Sequence, residues 1–346
     1  MRNFLSNSFR SGANKGRKEN SYQAGLSVFV KKFEEISKEM LQECGGKAAH
    51  LGELTSLKLN VPKGFCVVSN AFTLHLKSHH LEEQIENIVK TIHFDDFQDL
   101  EEKTKGIRSL IEKAPMLSEI EKEIVDHYRS LSEAEAEPFV AIRSSVAIKD
   151  SEISSFPGMM DTYHYILGNQ AVIENVKKCW ASVWSARGAF ARCHKGIEHT
   201  KALIAPTIQL MVNSEIAGVL FTLNPVSGER EEIVIESNWG LGESVVSGRC
   251  LCDFYTADKK QFNIKVKKIA RKEQTFRRAE EGGADWVNVE PEKVEKPTLT
   301  EAQVEELCRI ACKIEGHYGY PQDIEWAYER GVPYILQARR ARVAGE

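Results

Sequence analysis

The chain has no Cys-x-x-Cys pair among its eight cysteines, which removes the commonest zinc and dithiol signatures. Those cysteines (Cys44, Cys66, Cys179, Cys193, Cys250, Cys252, Cys308, Cys312) sit inside apolar strand or helix patterns. Free buried thiols in a reducing compartment are therefore expected, and with them a cytoplasmic location. Cys308 and Cys312 share a helix face, but no nearby histidine completes a tetrahedral set, so no metal is assigned there. No apolar run approaches the ~20 residues that cross a bilayer, so no membrane association is expected. Positive charge is not in excess either. The 46 Lys and Arg stand against 50 Asp and Glu, which disfavours a general nucleic-acid binder. Two loop fingerprints are also missing: Gly45-Gly46-Lys47 lacks the spacing of a Walker loop, and Gly240-Leu241-Gly242-Glu243 lacks that of a dinucleotide-binding turn.

What is present is organised around Val140 to Thr162. A short apolar β-type run, Phe139 to Ile142, ends on Arg143; two serines, a polar segment and SFPGMMDT follow. A strand, a cation, small hydroxyls and a glycine turn suit the grip of a polyphosphate. Residues 1–25 contain Glu19 as their only acid and read as a disordered extension, with an organellar transit peptide as the alternative. Residues 26–42 read as a strand or short helix. Gly45-Gly46-Lys47 opens a helix on which Ala48, Leu51, Leu54 and Leu57 recur at helical spacing. A glycine pair there leaves backbone N–H groups free, and Lys47 adds a mobile cation; the alternative is a helix start with a solvated lysine. Residues 73–135 read as helical scaffold. Ala171 to His194 reads as one long amphipathic helix with Trp180, Val183, Trp184 and Phe190 inward; Arg187 and Arg192 either reach the site or cap the exposed side.

From Ala202 the pattern turns to strands, with glycines around Glu243 where backbone can approach a ligand. Thr300 to His317 reads as a helix capped by Thr298 or Thr300. At the end, Asp323, Glu325 and Ala327 alternate onto one strand face, and Glu329-Arg330-Gly331 turns the chain back. On the returning strand Ile335, Gln337 and Arg339 share a face. Pairing the strands brings Asp323, Glu325, Gln337 and Arg339 onto one surface, a hard-cation site suited to Mg²⁺ with Arg339 beside it for phosphate. The alternative is a solvated hairpin face, against which Trp326 and ILQA speak.

These pieces together resemble the nucleotide-binding region of the phosphoenolpyruvate synthase / pyruvate phosphate dikinase / rifampicin phosphotransferase family. The likeness runs from about Gly45 to Arg339. It rests on GGKAAHLGEL, VPKGFCVVS, AIRSS, SFPGMMDT, CWASVWSARGAFAR, GVLFTLNPVSGE, GLGESVVSG, KIEGHYGYPQDIEWA and YILQAR in that order. The resemblance implies an α+β, ATP-grasp-like fold in which two lobes, residues 26–201 and 202–342, clamp ATP in a cleft. It implies that Lys47, Arg143 and Arg339 carry the catalytic charge on the phosphates. Gly158 and Thr162 would lie against the nucleotide and Gln209 near the adenine. Glu325 and Gln337, with Asp323 close by, would hold Mg²⁺. Enzymes of this kind cut ATP between the α- and β-phosphates and phosphorylate a histidine, which passes the group to pyruvate, water or an alcohol.

Relatives carry a Thr-Ser-His acceptor on a further mobile domain, and none of the ten histidines here lies in such a motif. His317 reads as a helix-end packing residue. Lys149 stands where synthase-like relatives usually have Glu, Pro157-Gly158-Met159-Met160 follows the dikinase pattern, and Arg340 replaces a common proline. The expected function is thus a dikinase-type phosphotransferase that passes phosphoryl to a histidine or substrate outside this chain. The alternatives are a stand-alone kinase acting on a small molecule or protein, and a non-catalytic nucleotide-sensing module. The retained Lys47, Arg143, Glu325, Gln337 and Arg339 speak against the last.

Overall fold

Short strands, the central ones buried on both faces, build the first half of the molecule. The computed structural model describes residues 28–132, 137–147, 162–199, 202–279 and 283–343. Strands β1 (Val30–Lys32), β2 (Gly64–Val67), β3 (Val140–Arg143), β4 (Thr162–Ile166) and β5 (Thr207–Leu210) form one sheet in the order β1-β2-β5-β3-β4. All its neighbours are antiparallel. Side chains of successive strand residues point to opposite faces. Phe65, Val67, Val140, Ile142 and Ile208 enter one core, while Ala141, Arg143 and Gln209 line a cavity on the other face.

Helix α1 (Leu41–Ser56) carries Lys47, and a group of helices covers the first core. These are α2 (Ser69–Ser78), α3 (Leu81–Val89), α4 (Phe97–Lys113), α5 (Ser118–Ser130), α6 (Asn169–Ser182) and α7 (Ala186–His194). The single helix expected over residues 171–194 is therefore two. Its break falls where Ser185 caps α7 by accepting from the Gly188 N–H, a bond more useful at a helix start than inside one. Phe190 is exposed rather than inward, and Arg192 is buried over the Trp184 ring, away from the cavity lining.

The second sheet is built from β6 (Ile216–Phe221), β7 (Glu232–Trp239), β8 (Asp253–Asp258), β9 (Ile264–Lys268), β12 (Gln322–Glu329) and β13 (Val332–Arg340). Its order is β13-β12-β6-β7-β8-β9. The strands β10 (Gln274–Arg278) and β11 (Ala284–Asn288) pair with each other as a separate hairpin, and α8 (Glu243–Val246) is a short turn of helix within GLGESVVSG. Helix α9 (Glu301–Tyr318) begins at a capping box of Thr300 and Gln303, so Thr300 and not Thr298 is its cap. Val304, Leu307, Cys308, Ala311 and Ile314 of α9 pack with Cys44, Ala48, Leu51 and Leu54 of α1 on Ile324, Trp326 and Ile335. Each of the larger side chains among them contributes about 2 kcal/mol by leaving water. Helix α1 thus joins the core of the second sheet while its first half touches the first. Strand β5, which lies beyond the expected boundary at 202, sits inside the first sheet between β2 and β3.

All eight cysteines are free; Cys44, Cys66, Cys179 and Cys308 are buried and Cys193 is exposed. Among the described residues no helix is long and apolar enough to cross a membrane. Residues 1–25, expected to be a disordered extension, lie outside the described residues.

One buried ion pair ties β8 to the segment between β9 and β10, and its carboxylate also holds the segment before α9. Lys272 Nζ lies 2.6 Å from Asp253 Oδ1, with both side chains wholly buried. The other carboxylate oxygen accepts from the Thr298 N–H at 2.8 Å and the Thr298 hydroxyl at 2.9 Å. Removing the cation leaves a buried carboxylate without its counter-charge, a loss of about 3–5 kcal/mol. Lys272→Met should lower the urea midpoint accordingly, with the m-value unchanged.

Candidate functional site: a charged cleft between two sheets

Gly45 sets the site's first edge. Its φ is +71°, and a Cβ there would stand 2.3 Å from Ser145 Oγ, so only glycine fits. The break it makes in α1 turns the following residues towards the end of β3. The Lys47 N–H donates to Ser145 Oγ at 3.0 Å, and Lys47 Nζ donates to the Ser144 carbonyl at 2.7 Å. A helical stretch thus opens at the glycine pair, as expected, across a kink at Gly45, but the Lys47 N–H is already spent on Ser145. His50, one turn on, has Nδ1 2.6 Å from the Ala338 carbonyl and ties α1 to β13.

The second edge is the β12–β13 hairpin. Its turn places Arg330 at φ 51° and Gly331 at φ 75°, the left-handed pair of a two-residue type I′ connection. Asp323 lies opposite Arg339 and Glu325 opposite Gln337, so the expected foursome does share one surface. Below it the register shifts: Trp326 pairs with Ile335 and Ala327 with Tyr334. This bulge at Leu336 sends Ile335 into the core with Trp326, so Ile335 does not share the face of Gln337 and Arg339. Leu336 instead lines the cleft.

Arg143, at the end of β3, spans the gap. It donates from Nη1 to the Leu336 carbonyl at 3.0 Å, and from Nη2 to Glu325 Oε2 at 2.8 Å and Gln337 Oε1 at 2.9 Å. Arg339 Nε donates to Asp323 Oδ2 at 2.7 Å and keeps most of its side chain in water. Six of the nine site residues read from the sequence thus meet: Lys47, Arg143, Asp323, Glu325, Gln337 and Arg339. Thr162 pairs with Arg143 across the sheet and is exposed on the cleft. Gln209 is buried in the cleft wall, its Nε2 3.5 Å from the Pro62 carbonyl. Gly158 lies outside the described residues, as do Asp161 and the rest of SFPGMMDT before Thr162.

Electrostatics follow from this crowding. Burial first, and then the neighbouring Arg143, bring the Lys47 ammonium down to about 8, although Glu325 pulls the other way. Burial opposes ionisation of Glu325, but Arg143, Arg339 and Lys47 outweigh it and hold the carboxyl below its ordinary value. Asp323 is shifted up, because burial outweighs the help of Arg339.

Between the sheets lies a cavity of about 190 Å³. Arg143, Glu325 and Thr162 stand at one part of its wall; Met211, Val212, Leu241 and Ala327 make another part apolar. Sequence reasoning missed three contributors. The Leu336 carbonyl and the Ser144–Ser145 anchors offered no signal beyond position. His164, which lines the cavity, had one: it lies two residues after Thr162, hence on the same strand face. Burial, reinforced by Arg143, brings its imidazole down to about 4, so it is neutral near pH 7.

A lysine poised near 8 gives the cleft a pH signature. Below that value the ammonium is charged and available to an anion; above it the free site loses that charge. Affinity for ATP should fall as pH rises through about 8 and change little between 6 and 7. Binding near pH 8 should take up a proton, visible as a buffer-dependent heat in calorimetry, and Lys47→Arg should abolish the uptake.

Comparison with known proteins gives the cleft its context. Residues 41–346 match the family described as pyruvate phosphate dikinase, AMP/ATP-binding domain. A phosphoenolpyruvate synthase of Pyrococcus furiosus is 40% identical over 90% of this chain and 43% of its own length. A probable phosphoenolpyruvate synthase of Methanocaldococcus jannaschii is 41% identical over 90% of this chain and 26% of its own length. The phosphoenolpyruvate synthase of Aeropyrum pernix is 36% identical over 89% of this chain and 41% of its own length. The chain thus spans less than half the length of these relatives. With two opposed sheets, a cleft lined by cations and carboxylates, and a match over most of its residues, this α+β chain belongs to the pyruvate phosphate dikinase AMP/ATP-binding domain family.

Proposed function

We propose that this chain is the nucleotide-binding part of a dikinase-type phosphotransferase with an ATP-grasp-like arrangement, its two lobes gripping ATP between the sheets. The observation that carries the reading is Arg143: one guanidinium reaches Glu325, Gln337 and the Leu336 carbonyl across the cleft. It is held where a triphosphate would compete for it. In this reading residues 26–201 and 202–342 are the lobes, with β5 shared into the first. Lys47, Arg143 and Arg339 surround the phosphates and neutralise the charge that spreads over them during transfer. Thr162 and Gly158 lie along the nucleotide, and Gln209 faces the base side.

Mg²⁺ is the metal we assign. Asp323 and Glu325 supply hard carboxylate oxygens and Gln337 an amide oxygen on adjacent strands, a donor set that fits a cation keeping water and phosphate oxygens as its other ligands. Among the described residues no three His, Cys, Asp or Glu groups converge to hold a metal unaided. When bound, Mg²⁺ withdraws charge from the phosphate oxygens. The protein's own part is to exchange guanidinium contacts with Glu325 and Asp323 for contacts with phosphate. The phosphoryl acceptor in this reading is a histidine or substrate outside this chain, and the whole protein's reaction is the phosphoenolpyruvate synthesis named for its relatives.

The test is ATP consumption by the purified chain with Mg²⁺ and an added histidine-bearing acceptor domain, resolving AMP from ADP. AMP, one phosphoryl group on the acceptor histidine and one phosphate released to water are the expected products. ADP with a labelled acceptor would instead establish a stand-alone kinase, and tight binding without turnover a sensing module. Arg143→Ala should lose turnover by about 100-fold or more while the far-UV spectrum stays that of a folded chain.

A further inference from the structure

Among the described residues His164 is the one histidine in the cavity wall, and the backbone is distorted where it stands. On β3, Val140 and Ile142 are two residues apart; their partners on β4, Ile166 and Tyr163, are three apart. His164 and Tyr165 together therefore face Ala141, a β-bulge with the extra residue on β4. Tyr165 takes φ 53°, a left-handed conformation unfavourable for an aromatic residue. Its ring packs against Phe139, with the Arg278 guanidinium 5.9 Å from its centroid. The bulge thus sends Tyr165 away and leaves the His164 ring on the cleft side, edge-on to Phe276.

The register fixes where along a nucleotide that ring falls. Thr162 pairs with Arg143, and Arg143 with Thr207; one step further along the strands His164 stands by Ala141, which pairs with Gln209. Two residues of strand are roughly 6.6 Å, so this second row is displaced by that length from the phosphate row. Beyond it come Met211 and Val212, the apolar wall. A ribose lies between the triphosphate and the base of any nucleotide, and the middle row is His164–Ala141–Gln209. Ala141 offers no hydrogen bond, and the Gln209 amide already points towards the Pro62 carbonyl. The imidazole is the group left to meet the sugar.

Resting on the assignment of the cleft to ATP, we propose that His164 is a further nucleotide-binding residue, hydrogen-bonded to a ribose hydroxyl and setting preference for ribonucleotides. A neutral imidazole carries one donor and one acceptor nitrogen and can satisfy a hydroxyl either way. It also places no additional cation among Lys47, Arg143 and Arg339.

Affinities for ATP and 2′,3′-dideoxy-ATP, measured by calorimetry with Mg²⁺, test this. The wild-type chain should bind ATP about 5-fold more tightly than the dideoxy analogue, the size of one net hydrogen bond. His164→Leu should weaken ATP by that factor, leave the analogue unchanged and bring the ratio to about 1; His164→Gln should restore part of it. An unchanged ratio in His164→Leu, or equal weakening of both ligands, would overturn the ribose contact while leaving the cleft assignment intact. A wild-type chain that binds neither nucleotide would overturn both.

Discussion

Everything at the cleft depends on the Arg143 guanidinium. It leaves the first sheet at the end of β3 and finds three acceptors on the two last strands of the second sheet. A lysine offers a single point of charge, whereas a planar fork with five N–H donors can hold a carboxylate, an amide and a carbonyl together. The same contact aligns the sheets, keeps half-buried Glu325 ionised and stores a cation beside the cavity. A half-buried ion pair of this kind contributes little net stability, because the desolvation of both charges offsets their attraction. Its value lies in being exchangeable. A phosphate that takes over the guanidinium leaves Glu325 needing a new cation, which is the coupling expected of a site that binds nucleotide and metal together.

The charge balance points the same way. Lys47, Arg143 and Arg339 oppose Glu325 and Asp323, so these five side chains carry about one net positive charge when all are ionised, and less when Lys47 loses its proton. That is well short of what a triphosphate brings. Burial lowers Lys47 and raises Asp323, each towards its neutral form. A site tuned to remain near neutrality when empty avoids the cost of a buried uncompensated charge. The proposed Mg²⁺ supplies the missing charge only when phosphate arrives.

Much of this is legible in the chain. Period-two alternation puts Asp323, Glu325, Gln337 and Arg339 on one surface, and the pairing of Asp323 with Arg339 and Glu325 with Gln337 repeats it. Two departures share one cause. Bulges at Leu336 and at His164–Tyr165 break the strict alternation, and a bulge leaves no composition signal when its residues are ordinary strand formers. Alternation alone thereby assigns Ile335 to the wrong face and does not foresee the left-handed Tyr165, although His164, two residues after Thr162, is on the face it indicates. The long helix over 171–194 fails differently. Its apolar period continues through the break, and only the small Ser185-Ala186-Arg187-Gly188 run marks a cap, a pattern equally at home inside a helix until the Ser185–Gly188 bond is seen. Strand β5, past the expected boundary at 202, returns to pair between β2 and β3, a non-local choice that no local pattern records.

Gly45-Gly46-Lys47 shows how a motif keeps its location and changes its physics. Read from the sequence, free N–H groups at a helix start would hold an anion. In the fold, Gly45 is needed because Ser145 occupies the space a Cβ would fill, and the Lys47 N–H is bonded to that serine's hydroxyl. The loop is a bracket for one side chain. Backbone amides are fixed dipoles whose grip does not change with pH, whereas a lysine near 8 and two arginines held on carboxylates answer to protonation and to competing cations. With the Lys47 amide withdrawn, the proposed phosphate recognition rests on charged side chains drawn from α1, β3 and β13. Those come from separate parts of the chain, so the site is complete only when both sheets are in place.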